Sequence, residues 1–443
     1  MQFERDIWRR FGRATRTNPL ANAERIELID TMALRAEASA AGLAVHQADD
    51  KSRPLRLLEQ AFMMREVARR TGDPVALAGA ARNAERAVKL SRDDRIRVAG
   101  RIELCASSVL TADLFGDASA ADAAESRIAG IEAEENLTIE EQIQVLGLKA
   151  RLLARQSLTD NDLNGAVEAA GVFDEAVDLS DERLRQLGEG RISAANLRIH
   201  RADMLIGFGI QLKEISLLRQ AQTDLTQLVG QIDGDRLPIT WARAEALLGS
   251  AMAACGDLEA REDEISQGAV ALSAAMAHLP ADHSPLDTAR TCHALGLVLM
   301  ALGEACDDDQ LFDEAISAFD RALGPFESAP ELAQRPICAY DRATAIARRA
   351  ELHGDVTALA YAERVFKAEL SSINPGADPV AWAVIQVSLA RVYTARAEVT
   401  GDPTLRAKAM MALSEALDVF TERGLRTLAD AALTSLDHLK AKA

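Results

Sequence analysis

Residues able to do chemistry are few in this sequence, and they fall into small groups. His278, His283 and His293 lie near Cys292, while Cys306 and His353 hold equivalent places in successive stretches. A zinc site needs several donors converging at about 2.0–2.3 Å, and these residues supply pairs rather than a four-ligand set. A cysteine nucleophile needs a base and a group that orients the base, and nothing in the sequence orients such a pair. The triplet Asp307-Asp308-Asp309 has the chemistry to hold magnesium or a diphosphate. It shares its position with Asp355 and Asp402, at turns where a carboxylate starts a helix and favours its positive end, so helix capping is the expected role. Gly207-Phe208-Gly209 lacks the third glycine of a phosphate cradle, and neither a GxSxG elbow nor an HExxH helix is present. These residues predict a protein that is not an enzyme, with no cofactor and no metal.

The elements that carry them must be helices. Aromatic residues make up 4% of the 443 positions and β-branched runs are scarce, while Ala, Leu, Arg and Glu dominate; strong helix formers without a strand pattern predict an all-α chain. The net charge of -18 argues against nucleic-acid binding, which requires a basic face to displace counterions. Cys105, Cys255, Cys292, Cys306 and Cys338 form no CxxC pair and are read as buried thiols rather than a disulfide framework. No apolar run is long enough to span a membrane, and the first sixteen residues lack the apolar core of a signal peptide, so a cytoplasmic location is expected. Only eight of the fifty basic residues are Lys, a bias shared with bacterial proteins of GC-rich genomes.

From Trp241 to Phe420 the sequence repeats every 47 residues. Leu248-Gly249, Leu295-Gly296, Arg342-Ala343 and Leu389-Ala390 keep the step, as do Ala315, Ala362 and Ala409, and Phe326, Ile373 and Phe420. A period of this size with helical spacing inside each unit marks a solenoid of helical hairpins. The turns read Thr71-Gly72-Asp73-Pro74 and Thr400-Gly401-Asp402-Pro403, with Gly354-Asp355 a weaker copy; Gly and Asp suit the turn and Pro starts the next helix. Residues 1–52 are read as N-terminal capping helices, 53–423 as the array of about eight hairpins, and 424–443 as a C-terminal capping helix. Within the first segment, Phe3, Ile7, Trp8 and Phe11 share a helical face with Arg5, Arg9, Arg10 and Arg13 around them, which suits a cap or a docking or membrane-surface segment. A helix is expected from about Leu20 to Ala41, and a longer polar turn over 156–164.

Inside each unit the pattern resembles the tetratricopeptide repeat. Leu295-Gly296 with Leu299, and Leu389-Ala390 with Tyr393, match its first helix; Ala315, Phe319 and Ala322, and Ala409, Leu413 and Ala416, match its second. The family unit is about 34 residues, so the longer step resembles a long-helix bacterial variant of the kind that accompanies CHAT-type peptidases, although no segment here could form a peptidase domain. The resemblance implies an all-α, right-handed α-α superhelix in which the first helix of each unit lines a concave groove. Transferred to this register, the family's groove positions are Arg243, Arg290, His293, Tyr340, Thr344, Arg348 and Arg391. Second helices are more acidic, as in Asp313, Glu314 and Asp320. Arginine clamps carboxylates well, so the expected function is a protein-interaction scaffold or adaptor that holds an acidic partner segment. A sensor that encloses a small ligand or lipid is the alternative. The end units offer apolar faces for self-association.

Overall fold

A computed structural model describes residues 26–133, 136–187, 191–279, 281–373, 375–376 and 379–441. The amphipathic Phe3–Arg13 segment lies outside them. The described residues form eighteen helices and no strand, numbered here from the first described one. Helix α1 (Thr31–Gln47) precedes eight hairpins and α18 (Arg426–Ala441) follows them. The first helices of the hairpins are α2 (Arg53–Thr71), α4 (Asp94–Phe115), α6 (Ile139–Asp160), α8 (Arg191–Leu212), α10 (Pro238–Leu258), α12 (Pro285–Cys306), α14 (Gln334–His353) and α16 (Pro379–Thr400). Their partners are α3 (Pro74–Leu90), α5 (Ala118–Glu132), α7 (Leu163–Leu187), α9 (Ile215–Gln231), α11 (Glu262–His278), α13 (Asp309–Glu327), α15 (Val356–Ser372) and α17 (Pro403–Glu422).

The turns form for the reasons read from the sequence. Gly72 takes φ 72°, a left-handed conformation that costs glycine little, and Asp73 then accepts hydrogen bonds from the Val75 and Ala76 amides at 2.9 and 3.0 Å. Asp355 and Asp402 cap their helices in the same way. In the Asp triplet, Asp307 occupies the left-handed position (φ 51°), Asp308 accepts from the Gln310 amide at 2.9 Å, and Asp309 meets His353 Nε2 at 3.0 Å. Four of the five cysteines are buried, and Cys306 is exposed.

Two local expectations are corrected. Of the helix expected over Leu20–Ala41, residues 20–25 lie outside the described residues; in the rest, a turn follows Ile26 and a helix starts at Thr31, where the Asp30 side chain accepts from the Ala33 amide at 2.7 Å, and continues to Gln47. The polar 156–164 stretch is not a long turn. Helix α6 runs through it to Asp160 and stops at Asn161, which takes φ 54°. Ser157 is buried, and Thr159 donates back to the Arg155 carbonyl at 3.0 Å, so these polar side chains are absorbed by the helix.

Close packing explains the small residues of the repeat. A Cβ on Gly249 of α10 would sit 2.7 Å from the Gly268 carbonyl of α11, and one on Gly296 would sit 2.6 Å from the Phe319 ring. Phe319, Ala315 and Ala322 are fully buried, as are Ala362, Ala409 and Ala416. First helices also pack directly on the first helices of adjacent hairpins, as α6 does on α4 and α8. Within each unit the first helices therefore form the inner layer, and the second helices form the outer one.

The chain divides into two compact units, one comprising the chain up to Ala294 with Gly324–Ala333 and the other Leu295–Leu323 with Gln334 onward. In the first, a core built on Phe173, Phe208, Leu218 and Leu225 runs through α6 to α10. In the second, Phe366, Tyr393, Leu413 and Phe420 centre the core of α14 to α18.

Candidate functional site: the inner face of the first unit

Helix α2 carries Glu66, Arg69 and Arg70, spaced so that the carboxylate reaches both arginines one turn on. Glu66 accepts from Arg69 at 2.8 and 2.9 Å and from Arg70 at 2.7 Å. Arg69 also donates to Asp287 at the start of α12, 3.0 Å away. Asp287 is almost fully buried and accepts from Ser284 Oγ at 2.5 Å; Arg290 Nη1 and Arg243 Nε lie 3.7 and 3.9 Å from it. Three guanidinium groups from three hairpins thus converge on one carboxylate. Arg243 donates to Asn196 of α8 at 2.9 Å, and Arg290 makes a further interaction.

His200 and Asp203 of α8 share this environment. Burial, followed by the charges of Arg151, Arg243, Arg69 and Arg290, pushes the His200 imidazole well below its ordinary range, so it is neutral at pH 7. Asp203 is open to water yet hemmed in by the inner helices. That loss of surrounding solvent raises its carboxyl group, against the pull of Arg243 and Arg290. Burial also lowers Arg243, with Asp287 opposing and Arg69 and Arg290 adding to the effect. Asp287 is held below the usual carboxylate range because Arg69, Arg243 and Arg290, with the Ser284 hydrogen bond, outweigh its burial.

The same region contains a seam between the beginning of the chain and the fifth and sixth hairpins. Arg70 has no exposed surface and donates to the carbonyls of Ile26, Ile29 and His283 at 2.8, 2.9 and 3.3 Å. Glu27, also buried, accepts from the Ile239 and Thr240 amides at 3.0 and 2.9 Å and from Thr240 Oγ1 at 2.5 Å. It fills the role of a cap for α10, whose first amides have no helical partner. The Thr31 amide and hydroxyl both donate to the Asp282 carbonyl at 2.9 Å. Beside Gly72, Leu332 and Ala329 are buried, and the Ala333 amide donates to the Leu114 carbonyl at 2.9 Å.

The seven residues transferred from the repeat register separate into two sets. Arg243 and Arg290 come together at Asp287, and His293 lies half-buried one turn beyond Arg290 on α12. Tyr340, Thr344, Arg348 and Arg391 belong to the second unit. There Tyr340 Oη lies 2.6 Å from Ser388 Oγ, and the Thr344 hydroxyl donates to the Tyr340 carbonyl at 3.1 Å. Arg348 pairs with Glu304 at 2.8 Å, and Arg391 donates twice to Glu351 at 2.8 and 3.0 Å. These arginines tie neighbouring inner helices together and face two adjoining recesses of about 220 and 250 Å³, which share Glu351 and Arg391 in their walls. Arg69, Arg151, His200, Asp203 and Asp287 escaped the register. A partial signal existed, because Asn196, Arg243 and Arg290 stand 47 residues apart.

No family model matches the chain, and no curated protein matches it by sequence. Among solved structures it is similar to a Rap protein crystallised in complex with competence and sporulation factor, at 12% identity and a TM-score of 0.50 over 88% of this chain and 99% of that one. The apo form of RapI (10% identity, TM-score 0.46, 88% and 98% covered) and yeast Tom70 (14% identity, TM-score 0.24, 91% and 96% covered) are more distant in shape. At such identities the likeness to the Rap complex speaks to the fold alone. Together with the hairpin packing, it makes this chain a tetratricopeptide-like α-α superhelix.

Proposed function

We propose that the chain is a protein-interaction scaffold and that the inner face of its first unit holds an acidic segment of a partner protein. The supporting observation is the convergence of Arg69, Arg243 and Arg290 on the single carboxylate of Asp287. Arginine presents five donors in a rigid fork and can serve two carboxylates at once. Asp203 on this face is exposed, which supports access from solvent. In a partly desolvated groove, charge-assisted bonds of this kind exceed their value on an open surface.

The test is binding of a fluorescently labelled Glu-rich peptide, followed by anisotropy, to wild type and to Arg243→Glu/Arg290→Glu. Reversing two charges costs at least about 3 kcal/mol, a loss of roughly a hundredfold or more, with helicity checked by circular dichroism. Equal affinity for the two proteins would remove the inner face of the first unit from the function.

A further inference from the structure

We infer that an anion bound among Arg69, Arg243 and Arg290 tightens the seam of the first unit, so that occupancy of the groove and closure of the seam are coupled. This rests on the acidic-segment reading above and goes beyond it by assigning the groove a conformational output.

The argument begins with where the charges stand. Arg69 belongs to α2, on the side of the seam formed by the beginning of the chain. Arg243 and Asp287 belong to α10 and α12, on the other side, more than 170 residues away in sequence. Around the junction the guanidinium groups of Arg69, Arg70, Arg243 and Arg290 stand among the carboxylates of Glu66 and Asp287, with Glu27 near Arg69 and Asp203 near Arg243 and Arg290. Glu66 is engaged on its own helix by Arg69 and Arg70. Asp287 is the carboxylate that Arg69 on one side and Arg243 and Arg290 on the other share across the seam. At Arg243, burial, with Arg69 and Arg290 adding to it, disfavours the charged form against the pull of Asp287.

A second anion in this place would give these arginines a further shared partner. All three arginines already reach within 4 Å of Asp287, at 3.0, 3.7 and 3.9 Å. An anion beside it can bond to Arg69 on one side and Arg243 on the other, adding a second bridge to the one Asp287 makes. Other hydrogen bonds across the seam include Arg70–His283, Glu27–Ile239, Glu27–Thr240 and Thr31–Asp282. They lie between the same two sides and must open together with the bridge. By linkage, an anion that binds the closed seam better than the open one shifts the equilibrium toward closure.

The experiment is hydrogen–deuterium exchange on the full chain, reading segments 26–33 and 239–242, with and without a tetraglutamate peptide at matched ionic strength. Binding is measured in parallel by calorimetry. The expected result is slower exchange at the Thr31, Ile239 and Thr240 amides by about tenfold at saturation, lost in Arg243→Gln and kept in Arg391→Gln. Binding with unchanged or faster exchange in these segments would overturn the coupling and leave the scaffold reading standing. Equal slowing in Arg243→Gln would overturn it as well. Absence of binding would overturn the acidic-segment reading, and the coupling with it.

Discussion

Replacing Arg70 with Met tests the seam most directly. The substitution keeps an unbranched stem of similar length and removes the guanidinium. Glu66 keeps its two bonds from Arg69, so no carboxylate is left alone. What is lost are the bonds to the Ile26, Ile29 and His283 carbonyls and one charge-assisted bond to Glu66. A buried acceptor left without a donor costs about 1–3 kcal/mol. Relief of the buried charge, and water reaching part of the site, offset some of that cost, because a buried ion is itself expensive to keep. The balance is about 3 kcal/mol, which corresponds to roughly a hundredfold in the local opening constant. The loss should appear as local opening before global unfolding, since repeat arrays break cooperativity more readily than compact domains. Hydrogen exchange at the Ile239 and Thr240 amides, which Glu27 holds, should accelerate by that factor, while α16 and α17 keep wild-type protection. A change below about threefold at those amides would refute the claim that Arg70 holds the seam.

Three further outcomes follow from the structure. Gly249→Ala places a methyl group 2.7 Å from the Gly268 carbonyl and should destabilise the α10–α11 hairpin by about 1–3 kcal/mol, read as a lower urea midpoint; a neutral effect would mean that the crossing has slack. His200 has a folded pKa below its unfolded value near 6.5, so below that pH the unfolded chain takes up a proton that the fold refuses. Stability should then fall as pH drops through 6.5, by at most about 1.4 kcal/mol per unit, relative to His200→Asn, and a constant difference from pH 8 to 5 would contradict the lowered pKa. The Arg243→Glu/Arg290→Glu pair should lose the acidic peptide, whereas Arg391→Glu, in the second unit, should retain it.

What could be read from the chain alone was whatever a single hairpin decides. The Gly-Asp-Pro turns, the Ala-Phe-Ala spacing that buries Phe319 and the small residue at Gly249 each depend on atoms within a few turns of helix, and their chemistry is local. The all-α repeat fold follows from summing such units. Errors arose where the local signal was ambiguous. The polar residues of 156–164 suit a turn as well as a solvated helix face, and packing of Ser157 settles the choice for helix. Arg69 and Asp287 are different in kind. They lie 218 residues apart and meet because small rotations, one per hairpin, accumulate until the beginning of the chain returns to its fifth and sixth hairpins. The irregular lengths of the early units hide Arg69 and Arg151 from the 47-residue frame. No local pattern encodes a sum of rotations, so the periodic sequence determined the hairpin, and the curvature of the first unit decided which arginines share a carboxylate.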